Sequence, residues 1–436
     1  MGCAPSSSAR VIAASAAELG FDGSALGDAA YGDACKSGGV LSKADVRRRL
    51  TVAPTRRVEG VAPGLSLVVA ALSQRGYYPE ALTKPNQDAF VCSAEPLERG
   101  GGGGGGGGGM ARYAFGVFDG HGATGDLCAR FCRDNVPSLL ARGLADSAAG
   151  TGHDGHDAAS GSGGGSSGSG HGGSSGGSHG DASSSSPSSV AAVYGADRAL
   201  RYACTEANSR LRGAPINDRM SGSTAIVCLF EGAELHVANV GDSRAIIVSE
   251  AVEGGGGHGG HGGGYGGEAA HHQQQRAMRG DGGVALRAAP LSVDHTPYRA
   301  DERERVKRHG ARVRTMDQLE GIEPVHENWG GNGGGGGSGG SGGNGDGDGD
   351  GDGNSGGGGN SGDDPPRVWS ASGNFPGVAF TRSIGDAVAE GLGVTAEPEI
   401  EHRPLHGGDR WVLLASDGVF EFLSSAAVAD MVSGYG

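Results

Sequence analysis

Aromatic side chains make up only 5% of this chain and charged ones 19%, because glycine, at 91 of 436 residues, dilutes everything else. Four tracts rich in Gly, Ser, His and Asp, near residues 100–109, 147–189, 250–283 and 330–364, lack the apolar surface needed to order themselves and read as long disordered insertions. Setting them and the N-terminal tail aside leaves roughly 260 residues, which suits one large domain better than two. Long hydrophobic runs are missing too. The longest near the front, LSLVVAAL at Leu65 to Leu72, is far too short to span a bilayer, and no charged-then-apolar leader precedes it, so an integral membrane protein is not expected. No stripe of Lys and Arg stands out and the formal net charge is −15, which argues against nucleic acid as a partner. The cysteines (Cys3, Cys35, Cys92, Cys128, Cys132, Cys204, Cys228) include no CxxC pair and are odd in number, so neither a zinc cluster nor a disulfide framework is indicated. A reducing compartment fits.

What the chain does have begins at its N-terminus. MGCAPS fits the N-myristoylation pattern, with Gly2 terminal after Met removal and Ser6 at the hydroxyl position, and palmitate on Cys3 would supply the second anchor that stable attachment requires. Residues 1–57 therefore read as an acylated flexible tether, with a short helical possibility at Ser42 to Leu50, and the protein is expected at the cytoplasmic side of a membrane. Residues 58–436 read as the folded domain. The stretch Phe115 to Gly125 organises it: an apolar run around Phe115, Val117 and Phe118 breaks at Asp119-Gly120 and delivers a carboxylate and then His121. An ionised Asp at an apolar strand end needs a cation or hydrogen-bond donors to meet it.

Around that stretch the pattern is strand-rich. NQDAFVC carries Asp88 before an apolar run, and a helix over Gly125 to Leu144 has Cys128, Phe131, Cys132, Val136 and Leu139 on one face. A second helix begins near Val190 and can pair with it, which makes Cys128 and Cys132 core filler. A three-stranded meander follows over Ser223 to Ser249, turning at Gly241-Asp242. Trp411 to Ala415 repeats the opening device, a strand running into Ser416-Asp417-Gly418. The GDGDGDGDG run is not a calcium loop, since an EF-hand counted from Asp346 would need Glu where Gly357 stands. His258, His261, His271 and His272 sit in solvated low complexity. Strand-end carboxylates without Cys or His partners at ligand spacing make a hard-oxygen site suited to Mg²⁺ or Mn²⁺ rather than zinc.

NQDAF, FGVFDGHG, SGSTA, VANVGDSRA, LSVDHTP, FTRSIGD and ASDGVFEF, in that order, resemble the blocks of the type 2C metal-dependent protein serine/threonine phosphatases. Plant and algal members in which this domain precedes cyclic-nucleotide-binding and kinase domains are the nearer likeness. The resemblance implies an α+β fold, a sandwich of two antiparallel sheets flanked by helix pairs, and hydrolysis of phosphoserine or phosphothreonine by metal-bound hydroxide at a two-ion Mg²⁺/Mn²⁺ site. It implies that Asp119 bridges both ions, that Gly120 contributes a carbonyl, Asp88 binds through water, and Asp417 ligates the second ion, with Asp242 and Glu421 forming a weaker third site. His121 would be the general acid. The implied partners are phosphorylated proteins, and a monomer is expected.

The chain also departs from the pattern. Thr83 and Gln87 stand where many members have a phosphate-binding Arg and a Glu; Lys84 or Arg75 is the candidate replacement, with Thr224 hydrogen-bonding near the site. Glu421 replaces a common Asp. The sequence stops at Gly436 before the block carrying a last metal carboxylate and the final strands, which reads as an incomplete gene product with bare strand edges and weakened metal binding. A catalytically impaired phosphatase-like interaction or scaffold module is therefore the alternative.

Overall fold

The computed structural model describes residues 8–14, 50–76, 84–92, 95–97, 111–148, 187–251, 278–279, 285–327 and 364–433. Strands β1 (Ser8–Ala14), β2 (Leu50–Ala62), β3 (Leu65–Gln74), β4 (Asp88–Cys92) and β5 (Arg112–His121) come first. Two long helices, α1 (Gly125–Ala148) and α2 (Pro187–Arg212), precede β6 (Gly222–Ser223), β7 (Ala225–Glu231), β8 (Glu234–Val240) and β9 (Arg244–Glu250). The chain continues through β10 (Met278–Arg279), β11 (Ala285–Pro290), α3 (Ala300–Arg308), β12 (Arg312–Arg314) and α4 (Met316–Glu320). It ends with β13 (Arg367–Trp369), β14 (Pro376–Val378), β15 (Ile384–Gly385), α5 (Ala387–Glu390), β16 (Glu399–Pro404), β17 (Asp409–Ala415), α6 (Asp417–Phe420) and α7 (Ser425–Ser433).

These elements make the expected α+β sandwich. One sheet runs β10-β11-β9-β17-β1-β3-β2; the other runs β15-β6-β5-β7-β8-β16, with β4 also paired to β5. Inner-face residues Leu67, Val69, Phe115, Val117, Ile226, Phe230, Ile247 and Val412 fill the space between the sheets. The outer face of the second sheet is covered by α1 and α2, whose Cys128, Cys132, Leu139, Leu200, Cys204 and Leu211 meet Val227, Leu229 and Val240. On the far side, α6 and α7 bring Phe420 and Val428 against Ile246, Val248 and Leu413. Central strands are thus covered on both faces, which is why β7, AIVCLFE, is buried throughout instead of alternating. Each such Leu, Ile or Phe contributes about 1.5–3 kcal/mol on burial. Cys128 and Cys132 are core residues, as their spacing implied.

Three features differ from the sequence-based expectations. Within the segment assigned as a tether, Ser8–Ala14 forms β1 and β2 already begins at Leu50. A short, Ala-rich strand carries little propensity of its own and is recruited by its neighbours. That strand also gives β17 a partner on each edge: β9 lies on one side, and on the other β1 runs parallel between β17 and β3, setting Val11 opposite both Val412 and Val69. Finally, α1 extends to Ala148 and α2 starts at Pro187, so the helices take up both margins of the tract placed at 147–189. Apart from β10, which falls inside the tract placed at 250–283, the interiors of the four tracts, Thr83, the Ser42 to Arg49 stretch, and Gly2 and Cys3 lie outside the described residues.

Candidate functional site

β4 and β5 are antiparallel and their register sets Asp88 directly opposite Asp119. Beyond Asp119, β5 leaves β7 and pairs with β6, Gly120 opposite Ser223 and His121 opposite Gly222. The crossing is tight: a Cβ on Gly120 would sit 2.0 Å from the Gly125 carbonyl oxygen and 2.7 Å from that of Gln87. Only glycine fits there, which accounts for the Asp-Gly pair. The backbone of Asp119 is pinned from below, its N–H donating to Thr224 Oγ1 at 3.1 Å and its carbonyl accepting from Thr224 N–H at 2.8 Å.

The other carboxylates arrive from separate elements. Asp242 sits in the turn between β8 and β9, Asp417 opens α6 where β17 ends, and Glu421 caps the end of α6. Ser416, just before Asp417, donates its hydroxyl to Asp88 Oδ2 at 3.2 Å and ties the two strand ends together. Burial first, then the charges of Asp88 and Asp417, hold the Asp119 carboxyl well above its usual range. Burial, helped by Asp417, raises Asp88 against the lowering influence of Asp119, Ser416 and Lys84. Burial together with Asp417 and Asp294 pushes Asp242 up to about 7, with His121 acting in the other direction. Glu421 is raised by burial and by Asp417.

This donor set fits divalent cations. Several oxygen-bearing side chains are crowded enough to resist ionising together, a surplus of negative charge that hard cations such as Mg²⁺ or Mn²⁺ would neutralise. A second acidic trio, Asp301, Glu302 and Glu399, brings its oxygens even closer. Its charge is already met: Arg299 bridges Asp301 and Glu399, while Arg305 and Arg382 grip Glu302. Burial notwithstanding, hydrogen bonds from Arg305 and Arg382 bring Glu302 down to about 2. An arginine-saturated trio is an ion-pair hub, not a cation site.

His121 lies at the rim of the carboxylates. Its Nε2 is 2.5 Å from Asp386 Oδ2 and its ring packs on Phe380, centroids 4.3 Å apart. Burial acts to lower the His121 pKa, but Asp386, Asp242 and Asp417 outweigh it and move it upward. Arg75 donates to the Lys84 carbonyl and so braces the loop leading to Asp88, while Lys84 is near enough to act on Asp88 electrostatically. Thr224, a candidate phosphate contact from the sequence, is 2% exposed and its hydroxyl is engaged by Asp119 N–H and Ser243 Oγ. It supports the turn from within and does not present its hydroxyl to a substrate. Gln87 donates Nε2 to the Gly122 carbonyl at 2.7 Å, so its amide braces the loop after His121.

Asp386, Ser416 and Ser243 were not singled out from the sequence. Asp386 had a visible signal, the Gly-Asp closing FTRSIGD, yet nothing local to that block points to His121. Asp294, the carboxylate of LSVDHTP, accepts both Nε (3.1 Å) and Nη2 (2.7 Å) of buried Arg244 and is committed to it.

The family model for protein phosphatase 2C matches residues 178–262 and 276–434. A relative from Arabidopsis thaliana, Probable protein phosphatase 2C 35, is 31% identical over 383 residues, covering 88% of this chain and 78% of its own length. Probable protein phosphatase 2C 12 of Oryza sativa subsp. japonica is 31% identical over 385 residues, 86% of this chain and 73% of the relative. Among solved structures, a serine-threonine phosphatase 2C from Toxoplasma gondii overlaps 74% of this chain and 73% of its own, at 15% identity and a TM-score of 0.42.

Proposed function

Because the chain belongs to the protein phosphatase 2C family of metal-dependent serine/threonine phosphatases, we propose that it hydrolyses phosphoserine and phosphothreonine in proteins at the Asp88–Asp119–Asp417 cluster. The observation that carries this reading is the convergence of those carboxylates, with Asp242, beside His121. Asp88, Asp119, Gly120 and Asp417 would hold two Mg²⁺ or Mn²⁺ ions, and Asp242 with Glu421 a weaker third. Bound there, the ions would supply Lewis acidity for activating water and neutralising phosphoryl charge.

The chain's own groups carry the rest. Lys84 offers a point charge near Asp88 for a phosphoryl oxygen, a less directional contact than a guanidinium fork. His121, its proton held by surrounding acids, protonates the departing serine or threonine oxygen. The enzyme acts as a monomer, tethered to the cytoplasmic face of a membrane by acyl groups on Gly2 and Cys3.

The test is hydrolysis of a phosphothreonine peptide and of p-nitrophenyl phosphate by the purified chain with and without Mn²⁺. Turnover should require the metal and fall to background in Asp119→Ala. A folded protein inert with Mn²⁺, or turnover that survives Asp119→Ala, would sink the reading and leave partner binding through the intact fold as the function.

A further inference from the structure

Three backbone passages converge on the His121 ring. β5 ends at His121, β6 sets Gly222 opposite it, and β15 sets Gly385 opposite Gly222. The next residue, Asp386, is 1% exposed and adopts φ 50°, ψ 52°, the one positive φ outside glycine among the described residues. Side chains rarely accept that conformation, and where it persists the surroundings enforce it. Here they do: Asp386 N–H donates to Ser221 O at 3.0 Å, Gly385 N–H to Asn208 Oδ1 at 2.8 Å, and Ala387 N–H to Asp218 O at 2.9 Å.

The left-handed turn aims the Asp386 carboxylate inward across Gly222. A Cβ on residue 222 would lie 2.2 Å from Asp386 Oδ2, so the carboxylate reaches His121 only through the space that glycine leaves. With Nε2 engaged by Asp386 at 2.5 Å and Phe380 packed on the ring, Nδ1 is the nitrogen left for substrate.

We propose that Asp386 is the positioning residue of the reaction, fixing the His121 ring with Nε2–H against its carboxylate so that Nδ1–H meets the leaving oxygen. This rests on the phosphatase reading and deepens it. In the step itself the P–O bond to serine or threonine breaks, its electron pair stays on that oxygen, and the oxygen takes the Nδ1 proton. The imidazole is left neutral with its remaining proton on Nε2; water supplies the oxygen entering phosphorus, and the proton it sheds restores the ring through solvent.

The test separates leaving groups. An alkoxide needs its proton, whereas p-nitrophenolate departs as a stable anion. Asp386→Asn is nearly isosteric and asparagine tolerates the left-handed region, so the turn should survive. Its kcat on a phosphothreonine peptide should fall about 100-fold or more, with KM changed only a few-fold, and the loss on p-nitrophenyl phosphate should be much smaller. His121→Ala should share that asymmetry, and Asp386→Asn/His121→Ala should be no slower than His121→Ala. Equal losses on both substrates, or additive losses in the double variant, overturn the proposal. A second readout needs neither metal nor turnover: ¹⁵N spectroscopy of the neutral imidazole in the metal-free protein should place the proton on Nε2, and finding it on Nδ1 overturns the assignment. Failure of the phosphatase reading shows separately, as a wild-type protein without metal-dependent hydrolysis.

Discussion

At the scale of single residues, the carboxylate cluster makes the metal-free protein sensitive to rising pH. Asp242 goes from the ordinary 3.8 to about 7 on folding, burial being the largest cause and Asp417 the next. The folded form therefore binds that proton more tightly than the unfolded form. The associated stability is fully present below about pH 4 and is lost as pH rises through about 7. Asp88 and Asp119 move in the same direction. A divalent cation takes the protons' place, so the increase in melting temperature produced by millimolar Mn²⁺ should be small at pH 5 and several degrees larger at pH 8. Thermal unfolding with and without Mn²⁺ checks this; an increment that ignores pH speaks against a carboxylate-bound cation. Asp119 and His121 were picked out because FGVFDGHG is one of seven blocks in order; Asp-Gly-His taken alone is a weak signal. Asp386 was not, since its role depends on a left-handed turn and on the missing side chain of Gly222, which lies more than 160 positions earlier in the chain.

Elements are held to one another by buried ion pairs. Glu302 on α3 is 1% exposed and accepts from Arg305 Nη2 at 2.7 Å, Arg382 Nη2 at 2.8 Å and the Thr381 hydroxyl, joining α3 to the segment that runs into β15 and Asp386. Its carboxyl is depressed from the ordinary 4.5 to about 2, so the stabilisation is present above pH 4.5 and disappears as pH falls toward 2. Glu302→Gln takes the buried counter-charge from Arg305 and leaves Arg382 to its pair with Glu399 at 3.1 Å, and should lower the unfolding free energy at pH 7 by about 3 kcal/mol. Urea titrations should show the gap between the two proteins narrowing as pH drops below 4.5. A variant as stable as wild type at pH 7 contradicts the ion-pair account. α1, α2 and the β7–β9 meander were legible from period and turn residues. β6 and β15, at two residues each, are shorter than any period, and β1 is held by its strand partners, so these required the assembled sheets.

At the scale of the whole molecule, seven sequence blocks in order foretold the sandwich, while the direction of β1 came only with the sheet register. β17 runs from Asp409 to Ala415 and delivers Asp417 at its C-terminal end. Because β1 is parallel to β17, with Arg10 opposite Trp411 and Ala14 opposite Ala415, its own start lies at the end of the sheet away from the carboxylates. Gly2 precedes Ser8 by six residues, a reach of at most about 20 Å. Acyl chains on Gly2 and Cys3 would therefore draw a bilayer toward that far end and leave Asp119 and His121 facing the cytosol, open to protein substrates. Two substitutions test the anchoring. In cells competent for acylation, Gly2→Ala should move the protein from membranes into the soluble fraction, because losing the myristoyl group removes the first anchor. Cys3→Ser should leave weak, reversible attachment, since one myristoyl chain holds only marginally. Both should keep wild-type turnover on a soluble phosphopeptide, because β1, the first described element after them, starts at the end of the sheet away from the carboxylates. Undiminished membrane association of Gly2→Ala would rule out acylation at Gly2 as the anchor, and loss of turnover on detachment would place the membrane at the active-site end instead.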